Sequence, residues 1–366
     1  MQGSLFDLLP TEEAKKYKPI KSTDWKWTMA NDYPKEKNGL TVFSCFACGG
    51  GSTMGYKLAG CDVIGCNEID KRMNDVYVAN HHPKYNYLQD IREFNKREDL
   101  TEELYNLDIL DGSPPCTTFS MAGDREQSWG VKKKFREGQA EQTLDDLSFV
   151  FIDTVAKLRP KVMIMENVEG LILGDAWTYV QRIYKQLNAI GYKVKHWLLK
   201  GENMGVPQTR HRVFFVATGL DFDLNKIDMS FNYEPIFFSQ VKEGVGEEAK
   251  CKPILEKARP TDKSIADILI REENRNSRFN EMVVWNNSIC PTIHTHGFYR
   301  AEEKTKFTTE DYRNCQTFPQ DYNWLGEVPA YICGMSVPPI MIKRVVNRLI
   351  ESGLFDYVNK EKDNDR

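Results

Sequence analysis

No run of apolar residues in this 366-residue chain approaches the roughly 18 needed to cross a bilayer. The opening MQGSLFDLLPTEEAKKYK lacks the basic, apolar and small-residue order of a secretory signal. Both absences point to a cytoplasmic protein. Excess positive charge is missing too: 49 Lys and Arg stand against 53 Asp and Glu, a net charge of −4, so any contact with nucleic acid has to come from a local patch. Internal repeats are absent. The nine cysteines, odd in number and irregularly spaced, argue against a disulfide framework and read as reduced thiols. Cys45, Cys48, Cys61 and Cys66 lie close enough in sequence to raise a zinc site. Cys45 and Cys61, however, fall in strand-like runs that point into a core, so buried thiols and no metal are expected.

What is present is an ordinary globular mixture, 41% hydrophobic and 28% charged, with length for one large domain and a smaller one. From 40 to 218 the pattern alternates strand and helix. Strand-like runs are LTVFSCFA (40–47), CDVIGCNE (61–68), LDILDG (107–112), KVMIMENV (161–168), YKVKHWLL (192–199) and RVFFVAT (212–218). Several are almost continuously apolar, the pattern of parallel strands buried on both faces. Helical patterns such as 143–160 and 177–191 separate them. The expectation is an α/β fold, an open doubly wound sheet that binds ligands at the carboxyl ends of its strands. Alternation stops after 218. The expected division is an N-terminal extension 1–38 with Trp25 and Trp27 as anchors, a catalytic and cofactor domain 39–218, a small domain 219–328, and a C-terminal part 329–366 whose amphipathic helix returns to the first domain.

FACGGGSTMGYKLAG (46–60) follows the first strand and opens a helix. Glycines 49–51 let the backbone approach a ligand, and the helix N-terminus favours polar groups. Glu68, ending the next strand, is placed to take two ribose hydroxyls. Asp90 follows a third short run, where it accepts from an adenine amino group or merely caps a helix. This order points to a nucleotide-like ligand without separating NAD from S-adenosylmethionine. LDILDGSPPC then leads into Pro114 and Pro115, which fix two φ angles ahead of Cys116 at the sheet edge. Glu166 and Asn167 end another strand at that edge, and VPQTRHRVFFVA (206–217) brings in Gln208, Arg210 and Arg212. Singly these are a loop thiol, a strand-end acid and surface arginines. Together they point to covalent catalysis on a polar heterocycle.

FACGGGSTMGY, NEID, QDI, SPPCTTFS, ENVEG, QTRHR, RNCQTFPQDY (313–322) and GMSVPP (334–339) stand in one order. In them the chain closely resembles the DNA (cytosine-5) methyltransferases of the bacterial and phage restriction-modification type. The resemblance implies a Rossmann-like fold that binds S-adenosylmethionine and releases S-adenosylhomocysteine. It implies that Cys116 attacks C6 of a cytosine flipped out of double-stranded DNA. Glu166 then serves N3, Arg212 the cytosine O2, Arg210 supports, and Asn167 belongs to the same site. A carboxyl that donates a proton near neutrality has to be shielded from water or set beside a like charge. Phe46, Gly49, Gly50, Gly51, Glu68, Ile69, Asp90, Ile91, Pro115, Leu147 and Ser336 fall at cofactor positions. Ser120 and Gln208 fall at DNA positions, joined by Lys132, Lys133, Lys134 and Arg136 in a stretch (117–142) with the length and composition of a lid. Residues 219–310 stand where the family reads its target. A paired restriction endonuclease, no membrane and a monomeric state complete the picture.

Alternatives are the same chemistry on tRNA, disfavoured because the Cys-Phe-Thr tripeptide of that branch is missing, a non-catalytic nucleic-acid binder, and a nicotinamide dehydrogenase, which gives Cys116 and QTRHR nothing to do. The chain departs from the family at Ser44 (usually Asp), Cys48 (Gly), Thr117 (Gln) and Met335 (Asn). A side chain at 48 favours negative φ, so the glycine loop is expected to be shifted and cofactor affinity weakened.

Overall fold

The structure, a computed structural model, describes residues 20–115, 146–275 and 281–356. Among them seven strands form one sheet in the order β3-β2-β1-β4-β5-β8-β6. These are β1 (Thr41–Cys45), β2 (Asp62–Glu68), β3 (Tyr85–Leu88), β4 (Ile109–Gly112), β5 (Val162–Val168), β6 (Lys193–Lys200) and β8 (His211–Thr218), with a two-residue β7 (Gln208–Thr209) lying outside the sheet. β3, β2, β1, β4 and β5 run parallel. The apolar runs are continuous because successive residues serve two cores. Val42, Ile109, Val162 and Phe214 enter one, while Phe43, Leu110, Met163 and Phe215 enter the other, each at most 1% exposed.

RVFFVAT departs from the expected parallel pattern: β8 runs antiparallel to both β5 and β6. Residues 201–210 are too few for the helical crossover, a dozen residues or more, that two parallel neighbours require. That reversal brings the start of β8 to the carboxyl end of β5, pairing Arg212 with Val168.

Helices α1 (Gly51–Leu58), α2 (Lys71–His81), α3 (Ile91–Lys96), α4 (Leu147–Leu158) and α5 (Trp177–Ala189) lie between the strands. Beyond β8 come α6 (Ile265–Glu273), the short strands β9 (Met282–Val284), β10 (Cys290–Pro291), β11 (Phe298–Arg300) and β12 (Thr305–Lys306), then α7 (Thr309–Cys315), α8 (Pro329–Met335) and α9 (Pro339–Glu351). β9, β11 and β12 make a small sheet, and β10 pairs with β7. α9 returns against α1, where Gly55 leaves room: a Cβ there would stand 2.4 Å from Ile342 and 2.5 Å from the Pro339 carbonyl. Trp27 is buried and donates its indole N–H to the Thr317 carbonyl at 2.9 Å. Cys45, Cys61 and Cys66 are buried, and no metal-holding group of His, Cys, Asp or Glu occurs among the described residues. No helix among them is long and apolar enough to cross a membrane.

Candidate active site

The carboxyl ends of the parallel strands and the start of β8 meet at one edge. Glu166, 8% exposed, takes the Arg212 Nε at 2.8 Å on its Oε1. Arg212 also donates to the His211 carbonyl at 2.7 Å. Burial presses down on the Arg212 guanidinium while Glu166 opposes it. Beside them, Asn167 donates to the Pro114 carbonyl at 3.3 Å, so the Pro-Pro turn is tied to β5. The structure thus brings Pro114, Glu166, Asn167 and Arg212 together, with Pro115 next in the turn. Cys116, Thr117, Ser120, Lys132, Lys133, Lys134 and Arg136 lie outside the described residues.

Arg210 and Gln208 turn inward. Arg210 is buried and holds two carbonyls, Ile293 at 3.3 Å and Gly334 at 3.0 Å. Burial, reinforced by Arg212, pushes its proton affinity down. Gln208 was expected at DNA, but it is 0% exposed. Its Oε1 accepts from the Ile293 N–H at 2.9 Å, and its Nε2 donates to Gln316 Oε1 at 2.8 Å and to the Cys315 carbonyl at 3.2 Å. With every polar atom engaged inside the protein, it is a buried clamp and not a DNA contact.

His211, between the two arginines, was missed. Glu169 (3.2 Å) and Glu202 (2.8 Å) grip its two ring nitrogens. Its sequence signal is slight: alternation along β8 places it on the face of the buried Val213 and Phe215, so it reads as a core-strand residue.

At the glycine loop, Phe46 (φ 56°), Cys48 (φ 46°) and Gly50 (φ 87°) are all left-handed. The expected shift to negative φ at Cys48 does not occur. The loop holds the conformation glycine favours, and the cysteine bears the strain. The Cys48 amide donates to Glu68 Oε2 at 2.7 Å, which fixes that turn. Burial pushes the half-buried thiol up to about 12, and Glu68 adds to the push. Glu68 also accepts from the amides of Ile69 (2.9 Å) and Asp70 (2.8 Å) on Oε1. Three of a carboxylate's roughly four acceptor sites are therefore filled, which leaves Oε2 one more bond, fewer than the two-hydroxyl grip expected. Burial raises the acid; the three amides pull it back.

The three glycines make room for protein as well as ligand. A Cβ on Gly49 would meet the Tyr322 hydroxyl at 2.5 Å, one on Gly50 the His81 ring at 2.0 Å, and one on Gly51 the Val337 carbonyl at 2.3 Å. Tyr322 donates to the Gly49 carbonyl at 2.6 Å, a role hidden in the QDY of its motif. Ser336 is 4% exposed; its hydroxyl lies beside the Cys48 thiol and is otherwise unpartnered. Asp90 caps α3, accepting from the Arg92 amide at 2.7 Å, and pairs with the Arg92 side chain. Ile91 and Leu147 are buried beneath the edge, and Ile69 is half-buried on it.

A family model described as C-5 cytosine-specific DNA methylase matches residues 40–351. The type II methyltransferase M.NgoPII of Neisseria gonorrhoeae is 31% identical over 201 residues, 54% of this chain and 53% of that one. The chain thus spans about half the length of such curated relatives. M1.HphI of Haemophilus parahaemolyticus is 25% identical over 345 residues, covering 85% and 87% of the two chains. Among solved structures, a mutant of Spodoptera frugiperda DNMT2 superposes with a TM-score of 0.60 at 16% identity, covering 85% of this chain and all of that one. The Entamoeba histolytica methyltransferase EhMeth gives 0.56 at 14%, covering 86% and 99%. Both likenesses bear on the fold.

Proposed function

The chain belongs to the C-5 cytosine-specific DNA methylase family, and on that premise we propose that it methylates C5 of a flipped-out cytosine in a specific double-stranded DNA sequence. The observation that carries this reading is the buried Glu166–Arg212 pair at 2.8 Å, one strand away from the Pro-Pro turn that Asn167 holds. A carboxyl and a guanidinium held as one unit match N3 and O2 of cytosine, two adjacent polar atoms on one edge of the ring.

In this reading the Cys116 thiolate adds to C6 and the ring becomes an enamine. Glu166 serves N3 and Arg212 serves O2, so charge pushed onto the ring is met by groups already in place. Arg210 and Gln208 keep the start of β8 in position through backbone carbonyls and amides. Loss of the C5 proton and expulsion of Cys116 then restore the aromatic ring.

S-adenosylmethionine, when bound, supplies the methyl group that C5 takes up. The residues present fit it: Glu68 keeps one acceptor site, and Ser336 offers a buried hydroxyl that has no other partner among the described residues. Ile69 and Asp90 would border that ligand. Double-stranded DNA is the partner, residues 219–310 choose the sequence, and a paired restriction endonuclease sharing that sequence belongs to the same reading.

The test is methyl transfer from labelled S-adenosylmethionine to unmethylated genomic DNA, with tRNA in parallel and bisulfite sequencing of the product. Target DNA carrying 5-fluorocytosine should trap the wild-type chain covalently, because fluorine cannot leave as a cation. Cys116→Ala should form no adduct and lose about 10³-fold or more in turnover. Ordinary turnover by that variant, or label in tRNA and none in DNA, overturns the reading.

A further inference from the structure

Asp111 lies in β4 at the middle of the sheet, paired with Ser44 of β1 and Ile164 of β5, and is 1% exposed. Among the described residues no lysine or arginine forms a salt bridge with it. Its partners are hydroxyls: Ser44 Oγ donates to Oδ2 at 2.7 Å and the Tyr56 hydroxyl to Oδ1 at 3.0 Å, with the Ser52 hydroxyl nearby. Ser44 and Tyr56 are themselves at most 1% exposed. A buried carboxyl without a counter-charge costs several kcal/mol where an apolar side chain of like size costs nothing. Stability therefore does not account for an acid here.

The sequence positions of its partners do. Ser44 lies one residue before the end of β1, the strand that enters the glycine loop, and Ser52 and Tyr56 sit on α1, the helix that the loop opens. Asp111 itself stands just before Gly112–Pro115, the turn held by Asn167. One carboxyl thus ties the element that cradles the cofactor to the strand that delivers the nucleophile.

We infer that Asp111 is a positioning residue for methyl transfer, its carboxylate registering the cofactor loop and α1 against the Gly112–Pro115 turn that precedes Cys116. The inference rests on the function proposed above. In-line transfer loses rate steeply with small misplacements, so the register acts on turnover more than on binding.

Burial brings the Asp111 carboxyl up to about 7, with Glu166 of β5 pushing the same way and the hydroxyls of Ser44, Tyr56 and Ser52 pulling back. The other titratable groups around it are the Cys45 thiol of β1 and the Tyr77 phenol of α2, both held protonated by burial, while Glu166 is paired with Arg212. Ionised, Asp111 accepts from the Ser44 and Tyr56 hydroxyls at once. Protonated, it has to donate to one of them, and that bond turns round.

The experiment is steady-state turnover of the full-length wild type, Asp111→Asn and Tyr56→Phe on DNA from pH 6 to 8.5, with S-adenosylhomocysteine affinity and thermal unfolding measured alongside. Asp111→Asn keeps the shape and loses the ionisable group. The ratio of wild-type to Asp111→Asn kcat should rise from about twofold at pH 6 to about tenfold or more at pH 8, with S-adenosylhomocysteine affinity within threefold. Tyr56→Phe, which removes the donor on α1 and leaves the acid, should lose about fivefold or more in kcat at pH 8. If Asp111→Asn does not fold, Tyr56→Phe decides alone. A ratio flat with pH, or wild-type kcat in Tyr56→Phe, overturns the inference while leaving the methyltransferase reading intact. A wild type that puts no methyl group on DNA cytosine removes both.

Discussion

Around the glycine loop backbone packs closely on backbone; in residues 219–308 Gly246 sits as close under the Lys306 carbonyl (2.4 Å from a Cβ), but there a buried side chain also gathers the chain. Gly51 sits under the Val337 carbonyl, Gly55 under that of Pro339 and Gly65 under that of Tyr85, each so close that a Cβ would come within 2.5 Å of the oxygen. The strands of the second region are two or three residues long. There a single buried guanidinium gathers the chain. Arg300, 4% exposed, bonds Asp311 through both oxygens (2.7 and 2.8 Å) and the carbonyls of Glu243 (2.6 Å) and Gly244 (3.0 Å). The first construction admits no extra atoms, and the proposed chemistry sits on it. The second tolerates new loops so long as the Arg300 node survives, which suits a region proposed to choose the DNA sequence.

An exchange of loops would break this comparison most visibly. Replacing residues 219–290 by the corresponding segment of a relative with another target, and keeping Arg300 and Asp311, should move the methylated sequence, as read by bisulfite sequencing. Activity at the original sequence after the exchange would place recognition elsewhere.

The node itself comes next. Arg300→Ala leaves Asp311 buried without its partner and should cost about 3–5 kcal/mol in urea unfolding. Arg300→Met combined with Asp311→Leu should recover most of that loss, because an apolar pair needs no solvation. A loss below 1 kcal/mol for the single variant would show the region to be held by its small apolar cores instead.

Gly51→Ala probes the other construction. Its Cβ would meet the Val337 carbonyl at 2.3 Å and the Ser336 Cβ at 2.9 Å. Backbone has to move, at about 1–3 kcal/mol. Gly219→Ala is the control, its nearest neighbour being the Tyr192 ring at 3.7 Å, and thermal unfolding should separate the two. Equal melting temperatures would mean that the loop yields easily.

Cys48→Gly carries the smallest effect. With φ at 46° the cysteine is strained, and glycine there should relieve about 1 kcal/mol, appearing as tighter S-adenosylmethionine binding in calorimetry. Unchanged or weaker binding would mean that the thiol, facing Ser336, contributes contacts that offset the strain.

The strands that build the edge were legible in the chain because residues buried on both faces leave continuous apolar runs, and Glu166 and Arg212 were legible because they end or begin such runs. The reversal of β8 was legible in principle, since residues 201–210 cannot cross the sheet. Other features depend on partners far away in sequence. Gln208 reads like a polar loop residue until Ile293 and Gln316 close around it, 85 and 108 positions on. Asp111 reads like any strand-end acid until β1 and α1 each bring a hydroxyl to it. The glycines at 49–51 read as ligand space, yet Tyr322, His81 and Val337 fill much of it. Composition and periodicity determine which segments become strands and helices, because those depend on local spacing. Where a buried polar atom finds its partner, and whether a glycine faces ligand or protein, was decided only by packing, which sets distances that no local pattern encodes.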